Sequence, residues 1–301
     1  MTVRFLSLVG VALLAGCAHV STADRPSAGP DACSLTSISS AEASIRIPFE
    51  IVQGRVYIQA RVNGGGPYIF AVDTGASGMG RADASLTRAL DLPITSQTET
   101  SDGINSATVD MTRLETLEIG GFVRKNLDVI TRDYSSKAPP GAAISGIVGR
   151  EFFADGLLVI DFPGRTLIFS RDHHISPDDP HALPYERAFR VPVSIGDMAL
   201  TGNLDTGANI HLVLPRNIYE QVQASELETA GQGTLTNTVI ETGKAVLKGP
   251  VRVGGLSLRN VDIRVSDRYP ELLIGGKFLQ NAKVAIDQRS KRVAICPPGG
   301  M

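Results

Sequence analysis

A five-residue string that returns once, in order with its surroundings, constrains this chain more than any other feature. Val72-Asp73-Thr74-Gly75-Ala76 recurs as Leu204-Asp205-Thr206-Gly207-Ala208, an offset of 132 residues. Gly120-Gly121 with Asn126, Asp128 and Asp133 recurs as Gly254-Gly255 with Asn260, Asp262 and Asp267, and Gly149, Phe152, Ile160 and Asp161 recur as Gly275, Phe278, Ile286 and Asp287. Three blocks in the same order mean two copies of one fold unit in one chain. The offsets of the second and third blocks, 134 and 126, place extra residues of the first copy within 135–145, where Pro139-Pro140-Gly141 marks a surface loop.

Each copy reads as strands. Val56 to Val62 and Tyr68 to Val72 flank a turn-rich Asn63-Gly64-Gly65-Gly66-Pro67, and Leu157 to Asp161 and Thr166 to Ser170 flank Phe162-Pro163-Gly164-Arg165. Short helices are predicted at Ala84 to Leu92, with Asp83 as N-cap, and at Asn217 to Ala224 after Pro215. The expectation is an all-β, bilobal chain, with a first lobe over 45–170, a linker over 171–187 and a second lobe over 188–297.

The N-terminus is different. Arg4 precedes an apolar run from Phe5 to Leu14 that is too short to span a bilayer and ends in Leu14-Ala15-Gly16-Cys17. That pattern is read as a secretory signal over 1–16, and its ending resembles the bacterial lipobox, which implies lipidation of Cys17 and attachment to a membrane. Ala18 after the Cys resembles the outer-membrane class, facing the periplasm. Residues 17–44 are rich in Ser, Ala, Thr and Pro and are expected to form a disordered tether. Of the remaining cysteines, Cys33 either pairs with Cys296 or stays free in the tether.

Charge and composition remove whole classes. The formal net charge is −2 and no basic run stands out, which argues against nucleic acid as a partner. Trp is absent and aromatics make up 5%, too few for a stacking platform. His173, His174 and His181 lie among Asp172, Asp178 and Asp179 without metal-site spacing, so a solvated loop is expected there. Gly64 to Gly66 lacks the Lys of a phosphate loop, and no Ser sits in a nucleophile elbow.

One Asp-Thr-Gly arises by chance in about one chain of this length in twenty. An Asx turn closing a strand would explain each copy singly. It does not explain two copies inside matching repeats. With both, and with Ile147-Val148-Gly149 and Leu273-Ile274-Gly275 as the apolar-apolar-Gly segments, the chain resembles the aspartic proteases over about 240 residues. The resemblance implies two pseudo-symmetric β-barrel lobes with short helices, and Asp73 and Asp205 as catalytic residues. It implies that Thr74 and Thr206 bond across the lobe interface and that Gly75 and Gly207 let backbone amides approach the carboxylates. Ala76 and Ala208 are closer to the retroviral branch than to the pepsin branch. Two flaps are therefore expected, with Gly103 as one tip and Gly231 or Gly233 as the other, in an enzyme active as a monomer. The implied mechanism is hydrolysis of an extended peptide or unfolded protein without metal or cofactor. The alternative is a non-catalytic envelope protein that holds an extended peptide in the same cleft.

Overall fold

The computed structural model describes residues 31–298 except 40, 137 and 188. The predicted signal segment and Cys17 lie outside the described residues. Three sheets carry nearly all of the regular structure, with helical turns between them.

The first lobe is an eight-stranded sheet, in the order Glu50–Val52, Arg55–Val62, Gly65–Asp73, Gly146–Gly149, Gly80–Asp83, Phe122–Arg132, Ser106–Ile119, Ile94–Ser101. Arg55–Val62 also pairs with Ser106–Ile119, through Arg61 with Glu118 and Val62 with Leu117, which closes the sheet on itself. Alternation drives the closure: Val56, Ile58, Ala60 and Val62 point inward on Arg55–Val62 and are buried with Leu114, Leu117 and Ile119. The second lobe repeats the plan in nine strands. Gly65–Asp73 lies parallel to Gly146–Gly149, as Met198–Asp205 lies parallel to Leu272–Gly275. Gly80–Asp83 and Leu212–Pro215 complete the two equivalent motifs.

A six-stranded sheet draws on both copies. Leu157–Asp161 pairs antiparallel with Lys283–Asp287, register Leu157 to Asp287, Val159 to Ala285 and Asp161 to Lys283. These are the third repeat blocks, so the copies meet at an approximate two-fold axis. The strands are buried on both faces: Leu158, Ile160, Val284 and Ile286 face the main core, while Leu157, Val159, Ala285 and Ala294 face a second cluster.

That second cluster corrects the predicted tether. Residues 31–39 do not hang free: Ala32, Leu35 and Ile38 are buried against the outer face of the six-stranded sheet, and Ser34–Ser37 form a 3₁₀ turn. Cys33 and Cys296 are joined in a disulfide with Cα atoms 5.7 Å apart. The polar average over 17–44 hid three apolar residues spaced to cover one patch. The predicted linker over 171–187 is likewise part of the body. Ile175 is fully buried, its N–H donating to Asp287 Oδ2 at 3.0 Å, and Leu183–Pro184 adds an edge strand beside Arg292–Cys296.

The first predicted helix forms at Ala84–Ala89, with Asp83 accepting from the Ser85 N–H. The second is a single turn, Arg216–Tyr219. Its continuation is lost because Ala224 bridges to Leu247 instead.

Candidate active site

Asp73 and Asp205 each end a strand whose parallel neighbour ends in a glycine, Gly149 and Gly275. Neither glycine tolerates a side chain. A Cβ on Gly149 would lie 2.2 Å from the Gly78 carbonyl oxygen, and one on Gly275 2.3 Å from that of Ile210. The apolar-apolar-Gly segments thus press directly on the loops that follow the two carboxylates. The Arg150 and Gly276 N–H groups fix those loops by donating to the carbonyls of Ala76 and Ala208, at 3.1 and 2.8 Å.

Within each loop the chain turns back so that two amides reach its own carboxylate. Asp73 Oδ1 accepts from Gly75 at 2.9 Å and Ala76 at 3.0 Å; Asp205 Oδ1 accepts from Gly207 at 2.8 Å and Ala208 at 3.2 Å. The glycines also serve the opposite lobe. A Cβ on Gly75 would stand 2.7 Å from Asp205 Cγ, and one on Gly207 2.4 Å from Asp73 Cγ. Each carboxylate therefore packs over the other loop's glycine, and the two come face to face across the axis.

Thr74 and Thr206 hold this crossing. Thr74 N–H donates to Thr206 Oγ1 at 3.0 Å and Thr206 N–H to Thr74 Oγ1 at 3.1 Å. Each hydroxyl in turn donates to the other lobe's strand, Thr206 to the Val72 carbonyl at 2.8 Å and Thr74 to that of Leu204 at 3.3 Å. Both threonines are buried. Two arginines, which the repeat did not single out, clasp the loops from outside: Arg55 Nε donates to the Gly207 carbonyl at 2.6 Å and Arg150 Nη1 to that of Gly75 at 3.1 Å.

Electrostatics follows from the geometry. Burial raises the Asp205 carboxyl well above the ordinary carboxylate range, the charge of Asp73 raises it further, and the amides of Gly207 and Ala208 only partly offset this.

The hairpin Ile94–Ser101 with Ser106–Ile119 places Gly103 in its tip, at φ 88°. In the second lobe the corresponding hairpin turns at 235–238, so neither Gly231 nor Gly233 forms the tip. Both lie inside the strand Glu228–Thr234, where the positive φ of Gly231 absorbs a bulge between Thr229 and Gly231. A glycine in a strand and a glycine in a turn look alike in sequence. The two tips meet. Asn237 N–H donates to Asp102 Oδ2 at 2.7 Å, Asn237 Nδ2 to the carbonyls of Thr100 and Asn105 at 3.0 and 3.1 Å, and Asn105 Nδ2 to Thr238 Oγ1 at 3.0 Å.

His173 Nδ1 is 2.9 Å from Ser170 Oγ, and no cluster of three or more metal-ligating side chains occurs among the described residues. His211 lines a cavity of about 490 Å³ between the Asp205 loop and the base of the second flap, 4.0 Å from Asp262. Burial lowers its pKa.

A family model described as aspartyl protease matches residues 58–152 and 191–278, one segment in each lobe. No curated protein matches the chain.

Proposed function

Because the chain belongs to the aspartyl protease family, we propose that it is an endopeptidase in which Asp73 and Asp205 form the catalytic dyad. The observation that carries this reading is the pairing of two carboxylates across the axis, each bonded to two amides of its own loop and packed on the other loop's glycine. Sharing of one proton by two such carboxylates is the general behaviour of this enzyme class. The ionised member takes a proton from a water held between them, and that water's oxygen attacks the peptide carbonyl carbon. The protonated member donates to the carbonyl oxygen. The tetrahedral intermediate then collapses with proton transfer to the leaving nitrogen, releasing an acid and an amine. Since the carboxyls exchange roles during the cycle, a duplicated lobe suits the chemistry.

Both halves of the site belong to one chain, so a monomer is the proposed active species. The proposed substrate is an extended segment of unfolded protein held between the dyad and the paired flap tips. We further propose that Cys17 is lipidated and holds the enzyme at a bacterial membrane, facing the periplasm where the envelope has two membranes. The disulfide between Cys33 and Cys296 favours an oxidising compartment.

The test is digestion of an unfolded protein in the presence of a chelator, with and without an uncleavable peptide carrying a tetrahedral hydroxyl carbon at the scissile position. Cleavage blocked by that peptide supports the reading. Binding of the substrate without cleavage favours the peptide-holding alternative. Exchange of Cys17 for Ala should move the protein from the membrane to the soluble fraction.

A further inference from the structure

The lobes repeat each other closely at the carboxylates, but the rows of side chains beside them differ. In the first lobe Ala71, Ile147, Arg81 and Ile130 are paired in register across four neighbouring strands, so they share one sheet face. The matching row in the second lobe is Asn203, Leu273, Val213 and Arg264. The first-lobe face adjoins the dyad: Ala71 and Ile147 cluster with Ala76, whose N–H donates to Asp73, and Tyr134 packs on that cluster. A guanidinium therefore stands beside the Asp73 loop where the other lobe has Val213.

Arg81 is only 8% exposed, and its Nε is buried without a partner. Arg132 Nε and Nη2 are also buried and unpartnered, and the Tyr134 hydroxyl has only the Arg81 guanidinium beside it. Among the described residues no carboxylate lies within 4 Å of either guanidinium. Burial raises the Tyr134 phenol, while the neighbouring charges of Arg81 and Arg132 pull it the other way, so the three groups form one cluster. Arginine does not escape burial by losing its proton, and a buried, unpaired cation is strongly unfavourable. Planar guanidinium donors with a phenol match a carboxylate. Arg132 also donates through Nη1 to the Thr236 carbonyl at 3.1 Å and to Asn237 Oδ1 at 2.7 Å, which ties the cluster to the tip of the opposite flap.

We propose that Arg81, Arg132 and Tyr134 form a subsite for an acidic side chain, Asp or Glu, that flanks the scissile bond of the substrate on one side only. The corresponding positions of the second lobe, Val213, Ser266 and Arg268, do not repeat the cluster, and Arg268 is exposed. The subsite fixes the direction in which a peptide lies across an otherwise near-symmetric dyad. This inference rests on the endopeptidase reading above.

The test begins with cleavage sites mapped in an unfolded protein, followed by peptides built on one site with Glu or Gln at each position flanking the bond. At one of the two positions the wild-type chain should favour Glu over Gln by about tenfold or more in kcat/KM. That ratio should fall close to one in Arg81→Val, decrease in Tyr134→Phe and survive in Arg81→Lys. Ratios near one at both positions, or a preference unchanged by Arg81→Val and Tyr134→Phe, would overturn the proposal. If the wild type cleaves nothing, the endopeptidase reading fails, and binding of the same peptides to Asp205→Asn decides the subsite separately. About tenfold tighter binding of the Glu peptide supports the subsite, and equal binding of the two peptides, or none, overturns it. Should Arg81→Val not fold, Tyr134→Phe carries the comparison.

Discussion

Replacing Thr206 by Val tests whether the crossed threonines hold the lobes together, since Val keeps the shape and removes only the hydroxyl. That hydroxyl accepts from the Thr74 N–H at 3.0 Å and donates to the Val72 carbonyl at 2.8 Å, and the site is closed to solvent. Two net hydrogen bonds are worth about 1 kcal/mol each, and the orphaned Thr74 N–H adds a desolvation cost of about 1–3 kcal/mol. The expected loss is therefore about 3–5 kcal/mol, a large share of the stability of an ordinary domain. At about 2–4 °C per kcal/mol for a chain of this size, the thermal midpoint should drop by roughly 6–20 °C. Thr74→Val removes a separate pair of bonds, one of them longer at 3.3 Å, so its loss should be similar or somewhat smaller. Urea unfolding followed by circular dichroism measures both. Thr206→Ser keeps the hydroxyl and should recover most of the loss. Equal loss in Thr206→Ser and Thr206→Val, or a loss below about 0.5 kcal/mol in Thr206→Val, would refute the argument.

Three further outcomes follow from the same geometry. Reducing the Cys33–Cys296 bridge, or replacing Cys33 by Ser, should cost about 2–4 kcal/mol by urea titration, because the bond closes a separation of 263 residues and residues 31–39 are packed on the sheet; an unchanged midpoint would contradict it. Activity should fall on the alkaline side as the raised Asp205 carboxyl loses its proton, and a rate that does not fall there would contradict it. Specific activity should be independent of dilution, and a loss on dilution would show that one chain does not complete the site.

Much of the architecture was legible because duplication writes the same constraints twice. Asp73 and Asp205, the threonines beside them and the two apolar-apolar-Gly segments stand at repeat positions, and the structure brings all of them to one axis. What the repeat does not duplicate was harder to read. Ala32, Leu35 and Ile38 are three apolar residues in a polar stretch, and only the outer face of a sheet built from distant strands gives them a place to be buried. Gly231 was assigned to a turn because its positive φ serves a bulge as well as a tip. Arg81 and Arg132 carry no signal in the sequence, since nothing local tells which face of a strand meets the cleft. Asp102 and Asn237 join the flap tips from opposite lobes, and such a pair leaves no trace in spacing.

The most direct measurement of the central claim is the rate of proteolysis by Asp73→Asn and Asp205→Asn, taken beside their thermal unfolding. Each exchange removes one member of the acid and base pair, and the rate should fall by about a hundredfold or more in both. The raised Asp205 carboxyl stabilises the fold most below the ordinary carboxylate range, and that contribution declines as pH rises toward its folded value. Asp205→Asn should therefore unfold at a temperature no lower than the wild type at pH 7. Loss of activity in both variants with the cooperative transition retained is the predicted result. Either variant keeping more than a tenth of the wild-type rate would contradict the assignment of the dyad.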